Sequence, residues 1–206
     1  MRLAIRREPF DHPDFIYEVK YDGFRALAHI EAGSCRLVSR KAHVYKSFLG
    51  LCASLAQLPH EAILDGEIVC LDGAGRPQFN QLFYRRGQPH FYAFDAPYLD
   101  GRDLRELPLI ERKRILQRIV PRSDSRLLYV GHIETRGVDL FRAVCRQDLE
   151  GIVAKWKRGA YVSGDVTSWV KIKNPDYSQA VGRWEKFQRK GTVRESAPIL
   201  QRASTA

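Results

Sequence analysis

Hydrophobic residues in the first hundred positions come in short runs, several of which alternate with polar residues. A two-residue period is typical of β-strands, and it predicts strands over residues 15–20, 25–30, 35–39, 63–71 and 90–94. Turn-forming residues separate these runs, at Gly33-Ser34, Asp72-Gly73 and Gly87-Gln88-Pro89. The pattern therefore favours an antiparallel sheet.

The period becomes helical in three segments, 47–57, 110–120 and 140–149. In the second segment, four apolar side chains share a face that we expect to pack on the core: Ile115, Leu116, Ile119 and Val120. Four basic side chains are expected to face solvent or a partner: Arg112, Lys113, Arg114 and Arg118. Strands return at 151–156 and 168–172, so the sequence predicts an α+β fold.

Composition bounds the class of protein. The chain has 206 residues, of which 44% are hydrophobic, enough for one domain or one domain plus a tail. We expect a domain over residues 1–180 and a basic extension over 181–206 whose last dozen residues are disordered. The formal net charge of +10 favours a polyanionic partner such as nucleic acid.

Cysteine spacing and hydropathy exclude several other classes. The four cysteines show no C-x-x-C spacing, which argues against a zinc site or a disulfide framework and fits a reducing cytosol. The N-terminus has no apolar signal region, and no run reaches the ~18 apolar residues of a membrane span. We therefore expect a cytoplasmic protein that is neither secreted nor embedded in a membrane.

Three predicted strands carry charged residues two positions apart, on one face: Glu18 with Lys20, Asp65 with Glu67, and Lys171 with Lys173. Amphipathic strands that expose charge to water would show the same pattern. The run around Asp65 is apolar at both ends, however, and a buried carboxylate pair needs a metal, lysine or hydroxyl partner. If the faces converge with Glu150, the carboxylates would hold a divalent metal beside a phosphate bound by the lysines. Such a site suits nucleotidyl transfer.

Lys20 is the candidate nucleophile of this site. A lysine must be neutral to attack, and only about one in ~10³ is neutral near pH 7 at its ordinary pKa. Burial and neighbouring cations correct this, so we expect further Lys or Arg beside it. The alternative is a hairpin that exposes Glu18, Lys20 and Asp22 and turns at Gly23.

Six blocks in order resemble one family: 18–25, Ser39-Arg40-Lys41, Leu64-Asp65-Gly66-Glu67, Phe91-Tyr92-Ala93-Phe94-Asp95 with Asp100-Gly101, 150–155 and 169–173. They are similar to the covalent nucleotidyltransferases, most closely to the adenylation domain of ATP-dependent DNA ligases of the bacterial end-joining type. The resemblance covers about residues 15–180. It implies a nucleotidyltransferase (ATP-grasp-like) fold of antiparallel sheets flanked by helices, with no OB-fold.

The resemblance also implies a role for each matching residue. Lys20 would attack the α-phosphate of ATP and carry AMP, with Glu18 beside it in the nucleotide pocket. For the nucleotide, Phe94 would stack on adenine, Glu67 would bind a ribose hydroxyl or the metal, and Lys171 and Lys173 would bind the α-phosphate. Glu150 would bind Mg²⁺ or Mn²⁺. Arg25 and Arg40 would bind ribose or phosphate and later the DNA 5′-phosphate. Core packing of Phe94 remains an alternative. The role of Lys155 stays open, because strand alternation places it opposite Glu150.

The chain departs from the family pattern in length and at one position. About 33 residues follow Lys173, too few for the OB-fold domain of a full ligase, so we expect the adenylation domain alone. A separate OB-fold, end-binding or polymerase partner would then complete the enzyme. Nineteen residues before Lys20 are too few for the extra domain of NAD-dependent ligases, which favours ATP. Lys41 stands where many ligases have a small or polar residue.

The sequence thus predicts an ATP-dependent DNA ligase, or its stand-alone adenylation domain, that seals nicked or broken DNA during repair. Two alternatives stay open. One is a non-catalytic nucleotide- and DNA-binding module that recruits a repair partner, and the other is an RNA ligase.

Overall fold

Two β-sheets carry the part of the chain that the computed structural model describes, residues 3–122, 125–162 and 167–180. The strands are β1 Ala4–Ile5, β2 His12–Val19, β3 Phe24–Glu31, β4 Ser34–Ser39, β5 Ala62–Cys70, β6 Pro89–Leu99, β7 Arg102–Asp103, β8 Leu127–Tyr129, β9 His132–Thr135, β10 Gly151–Trp156 and β11 Trp169–Lys173. The helices are α1 Leu49–Leu55, α2 Phe79–Phe83, α3 Leu109–Ile119 and α4 Gly137–Arg146, followed by a 3₁₀ turn at Ser178–Ala180.

The strand order brings together segments distant in sequence. The first sheet has the order β1-β11-β10-β2-β9, and the second has the order β4-β3-β5-β6-β7, with β8 paired to β6. Most pairs are antiparallel, whereas β1 with β11 and β6 with β8 are parallel. The predicted α+β class is confirmed, as are the predicted strands and helices within the described residues. The proposed extension at 181–206 lies outside those residues, so the domain boundary stays a prediction.

Each sheet packs its outer face on helices, and a third cluster joins the two sheets. Helices α1 and α3 cover the second sheet through Leu51, Leu55 and Leu116, while α4 covers the first sheet through Val144. Between the sheets, Ile16, Leu109, Val153 and Trp169 form the joining cluster. None of the helices within the described ranges is long and apolar enough to cross a membrane.

Helix α3 differs from the expectation at two positions. Arg114 and Arg118 are exposed as predicted, but Arg112 and Lys113 are completely buried. The prediction was wrong for these two because each has an acidic partner on a β-strand. Arg112 pairs with Asp95 on β6 at 2.8 Å, and Lys113 pairs with Glu18 on β2, between the sheets.

Candidate active site

Lys20 lies on the short crossover that connects the two sheets. It follows β2, donates its backbone N–H to Gly151 O at 2.9 Å, and precedes β3 by four residues. Gly23 completes the crossover where a Cβ would lie 2.1 Å from Ile68 O, so a larger residue would not fit. The buried carboxylate of Asp22 accepts a hydrogen bond from Tyr177 Oη at 3.0 Å. These contacts fix the path of the backbone at Lys20.

The crossover borders a cleft between the inner faces of both sheets. The cleft contains about 450 Å³ of space between atoms when its open mouth is included. Its lining combines apolar and charged side chains: Leu3, Glu18, Val19, Lys20, Tyr21, Arg25, Glu67, Phe94, Val153, Lys155 and Trp169. Five predicted site residues therefore meet here from both sheets.

Register explains why the first sheet supplies these side chains. Glu18 on β2 and Lys171 on β11 both pair with Val153 on β10, so all three point to the same face. Two residues along β10, Lys155 is on that face as well, opposite Ile16 and Trp169. The predicted charged strand faces of this sheet do turn inwards.

Glu18 is held by two ammonium groups in the floor of the cleft. Lys113 Nζ lies 2.6 Å from Glu18 Oε1, and Lys155 Nζ lies 2.5 Å from Glu18 Oε2. Burial alone would raise the pKa of this carboxyl, but the charges of both lysines outweigh burial and hold the pKa below its ordinary value. Glu18 is therefore an anion that pairs with two lysines.

Glu150 is the partner of Lys20. Its Oε2 accepts a hydrogen bond from Lys20 Nζ at 2.6 Å, and its Oε1 lies 3.8 Å from Lys173 Nζ. The next residue, Gly151, has φ +145°, and a Cβ there would lie 2.2 Å from Ile172 O. Because this glycine turns the chain, strand alternation does not extend back to Glu150. This corrects the expectation that Glu150 and Lys155 lie on opposite sides.

The second sheet contributes Arg25 and Glu67, which pair in register across β3 and β5. Asp65 binds Arg25 through Nε at 3.1 Å and Nη2 at 2.6 Å, and accepts from Tyr161 Oη at 2.8 Å. Burial raises the pKa of Glu67 to about 8, with Glu150 and Asp65 adding to the rise and Lys20 and Arg25 opposing it. A cation near Glu67 would thus be favoured.

Lys171, Lys173 and Arg40 form a basic rim beside Lys20. The pKa of Lys171 is lowered by burial and by the charges of Lys173, Lys20 and Arg40, while Glu150 opposes the change. The exposed Arg40 also borders a neighbouring groove together with Arg25 and Asp65. This rim is suited to an anion with several negative oxygens.

Phe94 faces the cleft and not the core that Phe91 occupies. Its ring lies edge-on to Trp169 at 5.7 Å, with Lys155 Nζ 4.3 Å and the Arg25 guanidinium 5.5 Å from its centre. The structure thus brings the predicted residues into one region. Sequence reasoning missed Lys113 and left Lys155 without a role. The signal for Lys113 was its position between Leu109 and Leu116 on the apolar stripe of α3.

Comparison with known proteins gives one family. Residues 5–173 match the family model described as "ATP dependent DNA ligase domain". The multifunctional non-homologous end joining protein LigD of Pseudomonas aeruginosa is 36% identical over 168 residues, which cover 78% of this chain and 20% of that protein. This chain thus spans about a fifth of that relative.

Two solved structures have the same fold. The ligase domain of LigD from M. tuberculosis superposes with a TM-score of 0.73 at 28% identity, covering 83% of this chain and 58% of that one. A mycobacterial DNA ligase D complexed with ATP and MES gives a TM-score of 0.69 at 29% identity, covering 83% and 60%. These likenesses confirm the predicted nucleotidyltransferase fold.

Proposed function

Because this chain belongs to the family of ATP-dependent DNA ligase domains, we propose that it transfers AMP from ATP to Lys20 and then to DNA. In the second step AMP passes to a DNA 5′-phosphate, and in the third a 3′-hydroxyl displaces AMP to seal the strand. The observation that carries the proposal is the contact of Lys20 Nζ with Glu150 Oε2 at 2.6 Å in a cleft rimmed by cations.

The first step requires a neutral amine and a leaving group. Glu150 is placed to accept the proton of Lys20 Nζ. The lone pair of Lys20 Nζ then forms a bond to the α-phosphorus. The bond from that phosphorus to the oxygen bridging the α- and β-phosphates breaks, and pyrophosphate leaves with the electrons of that bond. Lys171 and Lys173 stand where they would neutralise charge on the α-phosphate oxygens.

We place adenine at the inner end of the cleft. Glu18 and Lys155 both line this end, with Lys155 Nζ 2.5 Å from Glu18 Oε2. They offer an acceptor for the exocyclic amine of adenine and a donor for its ring nitrogen N1. Phe94 provides a ring face beside them, in keeping with the proposed stacking role.

A divalent metal fits the carboxylates near Lys20. Burial and the charge of Glu150 raise the pKa of Glu67, and a bound cation would favour its ionised form. No group of three acidic, His or Cys side chains within the described residues would hold a metal unaided, so nucleotide oxygens would complete its coordination. We propose Glu67 and Glu150 as ligands of Mg²⁺ or Mn²⁺, which when bound would offset charge on the phosphates.

Nicked or broken DNA is the proposed substrate, and the bacterial cytosol the proposed location. Arg25 and Arg40 share the groove that adjoins the cleft, where they would hold the 5′-phosphate after AMP is attached. The formal charge of +10 supports a DNA partner.

Intact mass spectrometry tests the first step. Protein incubated with ATP and Mg²⁺ should gain the mass of one AMP, and added pyrophosphate should remove it. Lys20→Ala should gain nothing, while the exposed Lys46→Ala should behave like the parent protein. Covalent AMP on the Lys20→Ala protein would refute the assignment of the nucleophile.

Nick sealing tests the later steps. Adenylated protein, freed of ATP, should convert a nicked duplex with a 5′-phosphate into a joined strand in a single turnover. A nick without the 5′-phosphate is the control and should stay open. Transfer to duplexes with RNA on the 3′-hydroxyl side, but not to DNA, would indicate an RNA ligase instead.

A further inference from the structure

Lys113 is a fully buried lysine for which the proposed chemistry has no direct role. It lies on α3, outside the cleft lining, and its ammonium donates a hydrogen bond to Val130 O at 2.7 Å and lies 4.3 Å from the centre of the Tyr129 ring. Burial and the charge of Lys155 lower its pKa. A second buried cation on an already paired carboxylate is costly, so its presence needs a reason.

Geometry at Glu18 supplies that reason. Lys113 lies against Oε1 and Lys155 against Oε2, so each carboxylate oxygen is held by a different element of the fold. A carboxylate held at both oxygens cannot rotate about its terminal bond. Each oxygen keeps a second lone pair, and the Glu18 side chain lines the cleft, so the held carboxylate can still accept a hydrogen bond from a ligand.

We propose that Lys113 is a positioning residue for base selection: by holding Glu18 Oε1, it fixes the carboxylate that lines the cleft as an acceptor that binds an amine and repels a carbonyl at purine position 6. This inference rests on the proposed use of ATP. Without Lys113, the carboxylate turns or takes a proton, and a protonated oxygen donates to a carbonyl. Selection for adenine then weakens.

Inosine triphosphate isolates this effect, because its base has a carbonyl where adenine has the amine and adds no amine at C2. The test compares kcat/KM for nucleotidyl-lysine formation with ATP and with inosine triphosphate. Lys113→Met should lower the ratio of kcat/KM for ATP to kcat/KM for inosine triphosphate about ten- to hundredfold, mainly through a higher KM for ATP. This is the effect of losing one charge-assisted hydrogen bond, here between Glu18 and the base. Arg146→Met, a matched charge loss at the exposed end of α4, should leave the ratio unchanged.

A double-mutant cycle separates positioning from a merely structural role. Glu18→Gln alone should lower the ratio, since an amide can turn to donate to the carbonyl. In the Glu18→Gln background, Lys113→Met should change the ratio by less than about threefold. The proposal would be overturned if Lys113→Met lowered the ratio in the Glu18→Gln background as much as it does in the parent protein. An unchanged ratio in a folded Lys113→Met protein would overturn it as well.

The parent protein supplies a second test should Lys113→Met fail to fold. Groups from every neighbouring element face Glu18: Lys113 on α3, Lys155 on β10, His132 on β9, Tyr129 on β8 and Tyr21 on the crossover. Burial and the charges of Lys113 and Lys155 lower the pKa of His132, while Glu18 and Glu134 oppose the change. If the clamp keeps Glu18 ionised, the ratio is constant from pH 5.5 to 7.5, and a fall towards pH 5.5 contradicts it.

The same nucleotides distinguish failure of the inference from failure of the ligase proposal. A protein that binds ATP but never gains AMP would refute the proposed function. The ratio of the two dissociation constants, measured by calorimetry, would still test Lys113. Normal adenylation of the parent protein with an unchanged ratio in Lys113→Met would refute the inference alone.

Discussion

Replacing Asp95 by alanine removes the acceptor of an ion pair that is shut off from solvent. Arg112 Nε and Nη2 each donate to one oxygen of Asp95 at 2.8 Å, and both side chains are 0% exposed. The same guanidinium donates through Nη1 to Leu107 O and Gly159 O. Those two carbonyls would stay, but no charge would balance the arginine.

The expected cost follows from the burial of the charge left behind. Breaking a buried pair at one partner typically costs about 3–5 kcal/mol, because the remaining charge is uncompensated. The two carbonyl acceptors keep two of the four hydrogen bonds of Arg112, so we expect the lower end of that range, about 3 kcal/mol, for Asp95→Ala. That is a large fraction of the roughly 5–15 kcal/mol of a typical domain.

Urea unfolding followed by circular dichroism measures this loss. The matched control is Asp103→Ala, which breaks the exposed pair of Asp103 with Arg105, where we expect almost no change because solvent screens the charges. Asp95→Ala should also weaken ATP binding, because Arg112 anchors the helix that carries Lys113. A loss of less than about 1 kcal/mol for Asp95→Ala would refute the reasoning that this charge depends on its partner.

Three other changes test the site and its surroundings. Gly151→Ala should slow adenylation at least about tenfold, because the new Cβ would lie 2.2 Å from Ile172 O and would move Glu150 away from Lys20. A normal rate of AMP gain by mass spectrometry contradicts this. With the pKa of Glu67 raised to about 8, the contribution of this group to stability should be full below pH 4.5 and be lost as pH rises to about 8. Glu67→Gln should remove that loss. Its free energy of unfolding, measured with urea in the absence of metal, should exceed that of the parent protein by roughly 2–4 kcal/mol at pH 8 and equal it at pH 4. Equal gains at both pH values would exclude this cause. Replacing Arg114 and Arg118, which line a basic groove, by glutamine should lower DNA affinity and reduce the slope of log affinity against log salt by roughly 1–2; an unchanged slope would show that these arginines do not contact phosphates.

Local patterns were enough to predict most of the fold and the charged strand faces, while the family resemblance indicated Arg25 and Phe94. Alternation along β5 places Asp65 and Glu67 on the face opposite the buried Leu64 and Ile68, as the sequence indicated. The same rule places Glu18 correctly on β2. Such rules work because neighbours on one strand share a geometry whatever lies elsewhere in the chain.

Contacts between distant segments were not predictable in this way. The burial of Lys113 depends on Glu18, 95 residues earlier, and nothing in the sequence around α3 reveals that partner. The position of Glu150 depends on the conformation of Gly151, which ends the alternation that strand reasoning assumes. The short strands β1 and β9 and the five-residue helix α2 carry too few residues for a period to be recognised.

The interleaved strand order also governs when the site can exist during synthesis. The second sheet draws on residues 24–129, so most of it can pair as the chain leaves the ribosome. The first sheet joins β2 to β9 and β10, which follow more than 100 residues later. A nascent chain stalled before Glu150 therefore presents Lys20 without this carboxylate and without Lys171 and Lys173 of the basic rim. The proposed reaction with ATP therefore requires that translation has passed β11, so unfinished chains would not be modified.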